Sequence, residues 1–241
     1  MLKPEYMTRL RDAAHVEIYL SGMDGARIEW PWRMLPPKSA TASYRDACET
    51  LVVDSDPLDD DVGATDVLDC AHRLDAEIAS LQDVYQDKDA TVGALLRGLE
   101  VADDHAFDGT LLLPLQEPFV DCWRELGEPT EHWLGIGGLK DARDSERLTA
   151  VQTVRSAAGT DAWLHGFGWG VKGIAREIRE APELLDSVDY STPMQSVSYD
   201  YARGQESKSV AAARAGAQLI EDLRSVSDLI DAESHEQSTL G

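Results

Sequence analysis

Six polar or glycine-rich points recur along the chain, each at the end of a short apolar run: Asp54, Asp83, Gln116, Gly137-Gly138, His165-Gly166 and Asp189. Carboxylates in a partly desolvated place act as nucleophiles or as general acids and bases. An amide beside an acid reads a polar heterocycle through paired hydrogen bonds. Two adjacent glycines let backbone approach backbone, or a ligand, where a side chain would fill the space. Any one of these aspartates is equally explained as a helix N-cap or a loop acid, and the glycine pair as a tight strand-to-helix turn. Their recurrence at successive apolar ends carries the functional reading.

The runs that hold them read as strands. They are His15 to Leu20 (ending at Ser21-Gly22), Thr50 to Val53, Glu77 to Leu81, Thr110 to Leu115, the segment through Leu134 and Ile136, Ala162 to Leu164, and Leu185 to Val188. Thr110 to Leu115 is continuously apolar, as in a strand buried on both faces. Helical spacing predicts helices over 66–74, 90–105, 145–157, 171–179 and 207–230, with a short one at 44–49. Strand and helix alternate at roughly 25–35 residue intervals, the rhythm of a parallel sheet. Seven units in one domain favour a compact TIM-like (β/α)8 barrel with seven or eight parallel strands. The eighth strand is either Val197 to Tyr201 or an irregular strand in the N-terminal region, where 23–42 reads as a long loop. Trp30 and Trp32 in that loop either cap the core or line a site. The expected organisation is a single domain over 1–241, with an N-terminal strand and loop to residue 49 and a C-terminal helix and frayed tail from 205.

Composition narrows the class. The 241 residues carry a net charge of −23, with 45 acidic against 22 basic residues. The acids are spread along the chain, which suits a surface adapted to a high-salt cytosol. A basic nucleic-acid footprint is absent, although high salt weakens phosphate contacts in any case. No run is long or apolar enough to span a bilayer, and Met1 to Asp12 lacks the apolar segment of a secretory signal; both predict a cytoplasmic protein. Cys48, Cys70 and Cys122 are scattered and predict neither a zinc site nor a disulfide framework.

The order of motifs resembles the barrel of tRNA-guanine transglycosylases and 7-deazaguanine DNA transglycosylases, in a haloarchaeal or haloarchaeal-virus form. Asp54-Ser55, Asp83 after Leu81-Gln82, Gln116 after Leu115, Ile136-Gly137-Gly138-Leu139, Gly166-Phe167-Gly168 and Val188-Asp189-Tyr190 carry the resemblance, over about 50–193. The resemblance implies base exchange, with guanine replaced by a 7-deazaguanine through a glycosyl intermediate on Asp189. Asp54 would be the acid/base. Asp83, Gln116, Gly137, Gly138, His165 and Gly166 would hold the base. No cofactor or metal is implied. The Cys-rich zinc site and RNA-binding domain of the tRNA enzymes are missing, which favours DNA over tRNA as substrate, or a silent accessory subunit that binds nucleic acid or a partner, or an oligomer. A small-molecule barrel enzyme unrelated to that family is the remaining alternative, with Gly166 to Gly170 as a phosphate loop.

Overall fold

The computed structural model describes residues 16–21, 30–55, 62–139, 142–169 and 184–191, with scattered residues between 204 and 224. Eight short strands run through it: β1 (Glu17–Ser21), β2 (Trp32–Leu35), β3 (Thr50–Val53), β4 (Ile78–Ser80), β5 (Thr110–Leu115), β6 (Trp133–Ile136), β7 (Leu164–Gly166) and β8 (Ser187–Tyr190). Each pairs in parallel with the next. β8 returns to β1, with Glu17 opposite Ser187 and Leu20 opposite Tyr190, so the barrel is closed. The fold is the expected (β/α)8 barrel.

The eighth strand is β2, inside the stretch read as a loop. Its four residues stand between Pro31 and Pro36-Pro37, and all four are buried. The prolines and the charge of Arg33 hide it from a periodicity count. Arg33 is fully buried, with its guanidinium 5.4 Å from the Tyr44 ring centroid on the outer face of the barrel. Trp30 is 1% exposed and donates from Nε1 to the Ile18 carbonyl at 2.7 Å, so it belongs to the core. Trp32 is buried as well.

Helices cover the outside: α1 (Ala42–Arg45), α2 (Ala64–Leu74), α3 (Lys88–Asp104), α4 (Phe119–Glu125) and α5 (Asp144–Ala158). α2 buries Val67, Leu68, Ala71 and Leu74, the helical spacing seen in the sequence. It starts where the Asp66 carboxylate takes the Gly63 amide at 2.9 Å, and stops at Asp75, whose φ is 53°. α3 is capped by Asp87, which accepts from the Ala90 amide at 3.0 Å. It lies close to the barrel because a Cβ on its Gly98 would sit 3.0 Å from Leu81. α4, unrecognised in the sequence, is too short for its periodicity to register. Cys70 and Cys122 are buried free thiols, and Cys48 is a half-buried one.

Among the described residues, no helix is long and apolar enough to cross a membrane. The expected helix over 171–179, the candidate strand at 197–201 and the frayed tail lie outside the described residues. Those described between 210 and 224 are helical.

Candidate functional site

Eight parallel strands put all their C-terminal ends at one mouth, and in barrels of this kind that mouth carries the site. Alternation decides which side chains turn inward. Leu81 packs outward beneath α3, so Ser80 faces the interior. On β7, Gly166 turns outward, since a Cβ there would meet Trp169 at 2.8 Å and Leu185 at 3.0 Å. Gly166 therefore serves packing, while its neighbour His165 faces in.

The first polar group forms where β8, β1 and β7 meet. Asp189 is 9% exposed. Its Oδ2 accepts from Ser21 Oγ at 2.9 Å, and its Oδ1 accepts from the Gly168 amide. Desolvation raises its pKa above the usual carboxylate range, while these two donors pull the other way. His165 Nε2 lies 3.9 Å from Asp189 Oδ1, too far for a hydrogen bond. His165 is fully buried, and burial lowers its pKa to about 3. It is therefore a neutral imidazole. Its Nδ1 stands 2.9 Å from Ser187 Oγ, which also takes the Trp163 indole N–H at 2.9 Å. Tyr19 and Phe167 meet the imidazole edge-on, with centroids 6.0 and 4.8 Å away. His165 Nε2, Ser80 Oγ and Trp169 Nε1 are among the buried side-chain polar atoms with no hydrogen-bond partner among the described residues.

The second group joins β4, β5 and β6. Gln116 is 1% exposed. Its amide nitrogen donates to Asp83 Oδ2, and its oxygen accepts from the Gln86 amide at 3.1 Å. Burial also pushes the Asp83 carboxyl up. The glycine pair is explained by this glutamine. A Cβ on Gly138 would collide with Gln116 Oε1, and one on Gly137 would stand 2.9 Å from Gln116 Nε2. Gly138 also has φ +71°, which disfavours any side chain. The glycines seat Gln116, and a small cavity of about 180 Å³ opens beside it, lined by Gln86, Glu117, Phe119 and the glycines. A wider groove of about 990 Å³ runs between α4 and α5, outside the barrel and away from Asp189.

Asp54 follows β3 at the same mouth, half-buried, its amide bonded to the Leu35 carbonyl at 3.0 Å. The structure thus brings Asp189 to His165, and Asp83 to Gln116, Gly137 and Gly138. Asp186, close to Asp189 in sequence, faces the other way. It holds Arg155 Nη2 at 2.7 Å and the Leu164 amide at 2.7 Å. Among the described residues, no group of three His, Cys, Asp or Glu side chains is placed to hold a metal ion. Ser187 and Trp163 escaped a reading of strand ends. Both stand two residues before a named site residue, so alternation along β7 and β8 was the signal that could have found them.

No family model and no curated protein matches the sequence. Solved structures do. One is a Coccidioides immitis protein assigned as a fructose-1,6-biphosphate aldolase: TM-score 0.62, 13% identity, covering 95% of this chain and 94% of that one. Another is the YdjI aldolase from Escherichia coli K12: TM-score 0.56, 9% identity, covering 91% of this chain and 94% of that one. At such identities the likeness establishes the barrel.

These neighbours correct the family reading. The similar solved structures are described as aldolases, not as tRNA-guanine or 7-deazaguanine DNA transglycosylases, and no family model supports the transglycosylase resemblance. Base exchange through a glycosyl ester on Asp189 falls with that family. The DNA, tRNA and deazaguanine expectations rested on it alone. The motif order misled for a physical reason. Acids and glycines gather at the strand ends of barrels with many chemistries, and here the glycine pair makes room for the Gln116 side chain.

Proposed function

We propose that the chain is an enzyme of the aldolase barrel type, acting on a small hydroxy-carbonyl compound at the C-terminal mouth, with Asp189 as general acid and base. One observation carries this: a buried carboxyl at the end of β8, held by Ser21 and Gly168, beside a neutral imidazole. A carboxyl made less acidic by burial works nearer neutral pH, where it can both take and return a proton. The names of the structural neighbours support the class of substrate.

In an aldol cleavage Asp189 would take the hydroxyl proton of the substrate. The C–O bond becomes a carbonyl and the adjacent C–C bond breaks. Its electron pair passes to the second carbonyl as an enolate, and the proton on Asp189 is then delivered to the enolate carbon. The Asp83–Gln116 pair offers an acceptor and an amide for the substrate's hydroxyl groups. Asp54 is a second carboxylate for proton traffic at the same mouth.

The test uses the full chain in molar KCl with a panel of hydroxy-aldehydes and hydroxy-ketones, free and phosphorylated, in D2O. NMR reads carbon-bound deuterium and cleavage products. Turnover by the parent, reduced at least about 100-fold in Asp189→Asn, is expected. Turnover of no compound, or equal turnover by the variant, would overturn the reading.

A further inference from the structure

We infer that Trp163 and Ser187 fix the tautomer of His165, so that a neutral Nε2–H points to the space beside Asp189, where a carbonyl or hydroxyl oxygen of a ligand docks.

The hydrogen-bond inventory drives this. An indole N–H is a donor only, so the 2.9 Å contact from Trp163 makes Ser187 Oγ an acceptor. The serine has one hydrogen left to give. Among the described residues, His165 Nδ1, at 2.9 Å, is the partner the structure shows for it. If the serine donates, Nδ1 accepts, and a neutral imidazole then carries its proton on Nε2. The opposite tautomer fails twice. Ser187 would receive two donors and lose its acceptor, and a bare Nε2 lone pair would face the Asp189 carboxylate at 3.9 Å. The Asp189 carboxylate does not repair that, since it has no hydrogen to give and lies beyond hydrogen-bond reach.

The imidazole is not free to turn. Tyr19 on β1 and Phe167 in the turn after β7 meet it edge-on. Its Nε2–H is then a buried donor without an acceptor among the described residues, a costly arrangement that an incoming oxygen relieves. One oxygen can lie within hydrogen-bond reach of both Nε2 and Asp189, because the two are 3.9 Å apart. A neutral donor at a developing enolate oxygen needs no proton of its own to leave, which makes it a preorganised electrophile. That use rests on the proposed aldol chemistry; the tautomer does not. Ser187 acts here as a positioning residue.

Long-range 1H–15N correlation NMR of the full chain at pH 7 in molar KCl reads the tautomer directly, with His165 assigned against His165→Gln. A pyrrole-type Nε2 and a pyridine-type Nδ1 are expected. Ser187→Ala should mix the two forms, and Ser187→Thr should restore the parent pattern. With a substrate found in the D2O assay, Ser187→Ala should lower kcat about tenfold and leave KM unchanged. A proton on Nδ1, or an imidazolium, in the parent overturns the inference even if Ser187→Ala fails to fold. An Nε2–H tautomer with no turnover of any compound supports the inference and counts against the aldol reading alone.

Discussion

Ser21 Oγ donates to Asp189 Oδ2 at 2.9 Å, a bond between residues 168 positions apart. It lies on the seam where β1 and β8 close the barrel. The acidity of the candidate catalytic group is therefore tied to closure of the sheet. The Gly168 amide, from the loop after β7, is its other donor.

Ser21→Ala removes a donor that favours the ionised carboxylate. The Asp189 carboxyl should then become still harder to ionise. A pH profile of kcat/KM should show its acid limb moved to higher pH, by up to about one unit, with the alkaline limb in place. An unmoved acid limb would show that another group controls it.

Asp189→Asn should stabilise the protein at neutral pH. Burial raises the folded-state pKa of Asp189 above its unfolded value. Such a group contributes stability below the unfolded pKa, and that stability is lost as pH rises through the folded one. The cost is about 1.4 kcal/mol for each tenfold loss of acidity. Thermal midpoints of parent and variant should coincide toward pH 4, diverge as pH rises to the folded pKa, and stay apart above it. A variant less stable than the parent at pH 8 would contradict this.

Gly138→Ala and Gly127→Ala separate backbone strain from collision. Both glycines have positive φ, +71° and +89°. A Cβ at Gly127 meets nothing within 4 Å, whereas one at Gly138 strikes Gln116. Gly127→Ala should cost about 1 kcal/mol, measured by denaturant unfolding. Gly138→Ala should cost more, and should also abolish turnover by displacing Gln116. Equal costs and intact turnover would mean that Gln116 relocates freely.

Arg155→Ala should destabilise without touching the chemistry directly. Its guanidinium holds Asp186 and the carbonyls of Leu184, Gly159 and Ala162. Removing it strands these groups, at about 3 kcal/mol or more. Asp186→Asn should lower the thermal midpoint while kcat stays within about twofold of the parent, since it faces away from the barrel interior. A kcat loss matching that of Asp189→Asn would reverse the assignment of the two aspartates.

Lowering salt should lower stability. A chain of net charge −23 repels itself, and molar salt screens that repulsion. Thermal midpoints followed from molar to low KCl should fall. A flat dependence would remove the halophilic reading.

The barrel was legible because its determinants are local. Leu111 to Leu115 is a buried run that needs no partner to be recognised, and the apolar positions of α2 and α3 repeat at helical spacing. β2 was not, because four residues between prolines carry too few alternations, and buried Arg33 breaks them. The strands β7 and β8 lie about two residues later than the apolar runs suggested. Their last residues, His165, Gly166, Asp189 and Tyr190, are polar or small.

For the site, the sequence by itself determined which residues reach the mouth: period-two alternation and parallel strands fix Asp189, His165, Gln116 and Asp83 at one end. It could not determine what those residues bind to one another. Ser21 and Asp189, or Trp163, Ser187 and His165, meet only when the sheet closes. The Gly137-Gly138 motif looked like a cradle for a ligand. Only the tertiary structure showed Gln116 lying across it, and no one-dimensional pattern encodes the approach of a side chain from the neighbouring strand. The family resemblance read from motif order failed for the same reason. Strand-end residue types follow from the barrel's geometry, whereas chemistry depends on distances and burial that arise when eight separate segments converge.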